Sequence, residues 1–202
     1  MLASLASLFH IETLAFQYNG ALRTQPPRLG SARDEWFRAS EGSIHFLFAY
    51  DPSRSRLFLH FFRAGFFGVF LVRGGRWVSY GWCTPPGIGR PPHLPRWAGK
   101  LSAFWIFYCH TREGFRCQGN YKRVLAQIVY LAGLRARHPL IFCDTLPDNF
   151  ASRNALLQSG FTPAGVITSC RPFPGLFLRS RWERSQPHLP VLQELDLQRS
   201  AS

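Results

Sequence analysis

Residues 101–111, LSAFWIFYCHT, make a nearly continuous apolar run. A run of that length without alternation belongs to a strand buried on both faces, at the centre of a sheet. The next thirty residues narrow the fold. FRCQGNYKRVL, residues 115–125, places Gly119 ahead of a segment where Val124, Leu125, Ile128, Leu131, Ala132 and Leu134 recur at helical spacing. The helix is expected to reach about Arg137, with Pro139 as its stop. LIFCDT, residues 140–145, reads as a second buried strand. Strands joined by such a crossover helix pair in parallel. Gly119 therefore lies at the C-terminal end of a central strand, where open α/β sheets bind ligands. Its missing Cβ allows close backbone approach. The helix beyond offers unpaired N–H groups and a positive dipole end, which together suit a phosphate.

The remaining segments fill in a mixed α+β domain. Residues 1–40 are expected to be a helical segment of the same domain, with Leu2, Leu5, Phe9 and Leu14 able to share one helix face. IHFLFAY (44–50) is rich in strand formers, and LFLHFF (57–62) either continues a strand or packs as an aromatic helix end. FFGVFLVRGGRWVSYGWC (66–83) reads as a hairpin turning at Gly74-Gly75. TPPGIGRPPHLPR (84–96) carries five prolines, so it is a long loop, of the kind that often serves function. Asn149 can cap a helix over 150–159, with Gly160 just past its end. Two strands, FTPAGVITS and LFLRSRW, flank PFPG. The core is expected over 41–185 and a polar tail over 186–202.

Composition limits the partners. The formal charge is +13, and all its cations but Lys100 and Lys122 are arginine. That balance suits an anionic partner, but no run of five or six basic residues marks a dedicated polyanion tract. The five cysteines include no C-x-x-C pair, which argues against a metal centre or a disulfide framework and fits a reducing, cytoplasmic setting. The most apolar stretch, 57–72, carries His60, Arg63 and two glycines and is too short for a membrane span. Its phenylalanines leave a lipid-surface role open.

FRCQGNYKRVL resembles the acyl-CoA-binding loop of the GCN5-related N-acetyltransferases, written Arg/Gln-x-x-Gly-x-Gly/Ala between a strand and a helix. Arg116 and Gly119 match, and Tyr121 stands where Gly or Ala is usual. DNFASRNALLQSGFTPAG (148–165) is similar to a second segment of that family through Asn149, Ser152, Gly160 and Phe161. The resemblance runs from about residue 66 to 182. It implies a single domain whose central mixed sheet is partly splayed and flanked by helices. It also implies acetyl-CoA, or another acyl-CoA, as co-substrate and an amine as acceptor. The pyrophosphate would rest on backbone N–H groups of Cys117, Gln118, Gly119, Asn120, Tyr121 and Lys122, with charge from Arg116. The pantetheine arm would run beside His110 and Thr111, and Asn149 and Ser152 would line the far wall.

Direct attack of an amine on the thioester needs a base for the ammonium, donors for the oxyanion and an acid for the thiolate. The resemblance implies a tyrosine acid seven residues after Asn149, but Leu156 stands there. The central strand offers Tyr108 and His110 as polar candidates, and the next strand ends in Asp144. A small-molecule or protein amine is the expected acceptor, and a homodimer is compatible with it. The alternative is a catalytically impaired binding module for CoA or a polyanion, with nucleic acid the less favoured partner.

Overall fold

A computed structural model describes residues 10–170 and 179–183. The strands are β1 (His10–Tyr18), β2 (Asp34–Arg38), β3 (Phe67–Arg73), β4 (Arg76–Thr84), β5 (Phe104–Thr111), β6 (Ile141–Thr145), β7 (Phe161–Cys170) and β8 (Arg179–Glu183). They form one eight-stranded sheet in the order β2-β3-β4-β5-β6-β1-β7-β8. Neighbours are antiparallel except β5 and β6, the parallel pair expected across the crossover helix. The helices are α1 (Glu41–Leu47), α2 (Pro52–Arg63), α3 (Asn120–Gly133) and α4 (Phe150–Gln158). The domain is mixed α+β, as its element order requires.

Local chemistry fixes several boundaries. Gly74 and Gly75 both have positive φ, 56° and 72°, and turn the β3–β4 hairpin. Asn149 accepts from the Ser152 N–H at 3.1 Å and starts α4, while Gly160 follows its end at φ 88°. Helix α3 stops at Gly133, one turn short of Arg137.

Two expectations about local structure fail, and the open reading of LFLHFF resolves to a helix. The N-terminal segment is not helical where it is described: residues 10–18 form β1, inserted between β6 and β7. Leu14, Phe16 and Tyr18 pack on one side of the sheet and Ala15 on the other, a period of two. Leu2, Leu5 and Phe9 lie outside the described residues. IHFLFAY belongs mostly to α1, started by a capping box between Ser40 and Ser43. LFLHFF is helical in α2, because Asp51 caps it and Pro52 occupies its first position. The buried faces of α1 and α2 then override strand propensity. Phe58, Phe61 and Phe70 are buried, so they do not form a lipid-facing surface. The polar tail and PFPG lie outside the described residues.

The sheet has two covered faces. Helices α3 and α4 cover one, through Val124, Leu125, Ile128 and Leu156. The other is shared. Helices α1 and α2 lie over β3 and β4, and the proline-rich connection lies over the β5–β6–β1 half through Leu94, Ala98 and Leu101. The strip of sheet between α2 and that connection holds the C-terminal half of β5.

Candidate functional site

The parallel ladder between β5 and β6 is short. It runs from Phe104–Ile141 to Ile106–Cys143 and ends there, although β5 continues to Thr111 and β6 to Thr145. Strand β5 instead follows β4, with His110 opposite Tyr80 and Thr111 opposite Ser79. Between Trp82–Phe107 and Tyr80–His110, β5 spends one residue more than β4. That bulge puts Tyr108 at φ 48°, a left-handed conformation rare outside glycine. A bulge bends the strand that carries it, and β5 and β6 share no ladder pairing beyond Ile106 and Cys143, which leaves a gap in the pairing at their C-terminal ends.

Helix α3 points its N-terminus toward that gap. Cys117 and Gly119 both adopt positive φ, 59° and 72°. Gly119 is the cap residue and supplies no side-chain acceptor. The first ladder bond of the helix joins the Arg123 N–H to the Gly119 carbonyl, so the N–H groups of Asn120, Tyr121 and Lys122 precede it. A Cβ on Gly119 would meet nothing closer than the Lys122 side chain at 3.9 Å, so the space above the loop is open. Several polar side chains of the loop bond back onto its own backbone. Asn120 is buried; its amide donates to the Phe115 carbonyl at 2.9 Å and its Oδ1 accepts from Arg123 at 2.8 Å. Gln118 donates to the Gly114 carbonyl at 3.2 Å, and its own carbonyl accepts from Arg123 at 3.0 Å. Arg116 Nε lies 3.5 Å from the Thr111 carbonyl, and Lys122 reaches Gln158 at 3.0 Å.

Asn149, Ser152 and Tyr121 meet on the α3–α4 side of the gap. The Tyr121 hydroxyl lies 3.1 Å from Ser152 Oγ, one residue pair linking the two helices. Burial pushes its phenol above the ordinary value, so it stays protonated at neutral pH. Leu156 is fully buried and packs in the core.

The sheet's other face holds the three candidate proton-handling residues, but not together. Tyr108 and His110 flank Tyr80, Tyr108 stacked on it at 6.3 Å and His110 at 5.8 Å. Tyr108 is 46 % exposed and its ring also meets Phe58 and Phe61 of α2. Burial, then the charges of Arg54 and Arg116, hold the His110 imidazole below its usual value and hence neutral at pH 7. Asp144 lies one residue past the end of the parallel ladder. Its Oδ1 accepts from Trp105 Nε1 at 2.8 Å and its Oδ2 lies 2.7 Å from His93 Nε2. His93, from the proline-rich loop, is the site residue that sequence reasoning missed. The signal was slight: one imidazole inside a long structureless loop.

Several solved structures share this architecture. A putative GNAT-family acetyltransferase from Novosphingobium aromaticivorans superposes with a TM-score of 0.51 at 12 % identity, over 79 % of this chain and 62 % of its own. A GCN5-related N-acetyltransferase-like protein from Streptococcus suis gives 0.52 at 13 % identity, over 90 % and 67 %. The fold is that of the GCN5-related N-acetyltransferases. The same GNAT fold is seen in AAC(6')-Iy bound to the bisubstrate analogue CoA-S-monomethyl-acetylneamine, with a TM-score of 0.51 at 13 % identity over 74 % and 99 %. The chain spans under two thirds of the Novosphingobium protein's length and 52 % of that of a Drosophila protein that also shares the fold. No protein-family profile and no curated protein sequence matches the chain. Among the described residues, no helix is long and apolar enough to cross a membrane, and no cluster of His, Cys, Asp or Glu could hold a metal ion.

Proposed function

We propose that this chain is an acyl-CoA-dependent N-acyltransferase that moves acetyl from acetyl-CoA to a primary amine. The observation that carries this reading is the gap between β5 and β6 opening onto an α3 N-terminus with an uncovered glycine. No side chain caps the helix start at Gly119, which leaves its first N–H groups suited to a pyrophosphate. Arg116 and Lys122 add charge beside it, and Cys117, Gln118 and Asn120 shape the loop. The β5 edge from Phe107 to Thr111, past the parallel ladder, is the place for the pantetheine amides, alongside His110 and Thr111. Asn149 and Ser152 form the opposite wall. Leu156 leaves the thiolate without the acid implied at its position. Tyr121, a protonated phenol on the same wall and linked to Ser152, is the donor we assign instead. Tyr108 and His110 line the acceptor side, and Asp144 closes it. An amine screen tests the reading: CoA thiol release from acetyl-CoA with spermidine, tyramine and a lysine peptide. Amine-dependent release supports it, and none with any amine contradicts it.

A binding module without catalysis is the second reading, favoured by the burial of Leu156. Its nucleic-acid version has less support. Several arginines are already engaged within the fold: Arg54 and Arg112 lie over the Trp77 ring, Arg135 lies over Phe67, and Arg73 and Arg63 pair with Asp34 and Glu41.

A further inference from the structure

His93 is held with more care than a loop residue needs. The Arg90 guanidinium donates to the carbonyls of Pro91, Pro92 and Leu94, folding the chain around itself on both sides of His93. Leu94 is 1 % exposed and anchors the loop in the core beside Ala98 and Trp105. The imidazole then projects from a fixed base onto Asp144. That carboxylate has a side chain only 6 % exposed, whereas the imidazole is 37 % exposed. Both carboxylate oxygens are engaged, one by Trp105 and one by His93. The buried acid thus lies behind and the accessible ring in front. The ring faces Phe107, centroid to centroid 6.4 Å. Phe107 is the first residue of β5 beyond the parallel ladder, where the gap begins.

The geometry points to His93 as the group that takes the proton from the acceptor ammonium, with Asp144 as its positioning residue. This inference rests on the acyltransferase reading above. Nε2–H donates to Asp144, which leaves Nδ1 as the acceptor nitrogen. The ammonium gives one proton to Nδ1 and frees its lone pair. The nitrogen bonds the thioester carbonyl carbon, and the carbon–sulfur bond breaks with its pair on sulfur. Sulfur takes its proton from the Tyr121 hydroxyl, the second proton of the nitrogen replaces it there, and the imidazolium returns its proton to water. The products are an amide, CoA thiol and one proton.

The other charged and titratable groups around the dyad suit this role. Arg90 is spent on backbone carbonyls of the same loop. The Cys109 thiol of β5 is pushed up to about 12 by burial and then by the Asp144 charge, so it adds no competing anion. His110 lies farther along β5 against Trp77 and Tyr80, with Arg54 and Arg116 as its charged neighbours.

The test uses the full chain, acetyl-CoA and the amines named above, with CoA release as the rate and calorimetry for acetyl-CoA binding. His93→Gln keeps an N–H for Asp144 but cannot accept a proton. It should lower kcat/KM by about 10²-fold or more and leave acetyl-CoA affinity within about twofold. Any rise of kcat/KM with pH in the native chain should be absent from this variant. His93→Ala should recover part of its rate when imidazole is added to the buffer, which a structural role would not allow. Asp144→Asn should lower kcat/KM at unchanged acetyl-CoA affinity. The inference is overturned if His93→Gln keeps native kcat/KM and pH profile. A native chain that binds acetyl-CoA yet acylates none of the amines contradicts the acyltransferase reading, and the inference falls with it. A folded native chain that does not bind acetyl-CoA removes the underlying reading itself, an outcome that calorimetry alone distinguishes.

Discussion

Strands β5 and β6 separate after Ile106 and Cys143, and the two sides of the resulting gap are built from different materials. Beyond β5, the loop to α3 presents backbone: Gly119 has no side chain, and Asn120, Gln118 and Arg123 turn theirs into the loop. At the end of β6, Asp144 presents a carboxylate, completed by His93 from 51 residues away. A backbone surface binds an anion with little demand on residue identity. A proton-transfer site depends wholly on which side chains meet and how they are oriented. The first kind of site is local in sequence and the second is assembled by the fold.

Substitutions separate the two sides. Gly119→Glu puts a side chain and a negative charge into the open space above the loop and strains φ 72°. Acetyl-CoA affinity should fall by more than about 10²-fold in calorimetry, since several charge-assisted hydrogen bonds are lost together. A smaller effect is expected from Asn120→Ala, which removes the bonds to Phe115 and Arg123 that shape the loop. Its acetyl-CoA Kd should rise about tenfold, with a lower melting temperature, because the Phe115 carbonyl loses its buried donor. Tyr121→Phe probes the wall between the helices. It should lower kcat by several-fold while acetyl-CoA binding changes little; equal turnover would take the phenol out of proton transfer. Asn149→Ala should show mainly in stability, about 1 kcal/mol for the lost cap of α4, read by denaturant unfolding. If Asn120→Ala had no effect on Kd while a β6-side substitution abolished binding, the division between backbone and side-chain ends would break.

The elements around the first candidate site are legible in the sequence. The apolar run at 101–111, Gly119 and the spacing of Val124, Leu125 and Ile128 are enough to locate β5, the loop and α3. Asn149 and Gly160 bound α4 by cap chemistry alone. The hidden features depend on distant partners. The period of two in LAFQY is visible once β1 is known to sit between β6 and β7, but nothing near residue 10 announces those neighbours. LFLHFF carries strand-forming residues, and the Asp51-Pro52 cap that makes it helical also reads as a turn. His93 carries no motif, since its partner Asp144 reaches it only after the proline-rich loop folds back over the sheet.

The central claim is that the open loop at Gly119 holds the pyrophosphate of acetyl-CoA. Calorimetric titration of acetyl-CoA into the native chain and into Gly119→Glu tests it most directly. The account predicts saturable one-to-one binding to the native chain and loss of that binding in a variant that remains folded. Equal binding by both chains would place the ligand elsewhere and contradict it.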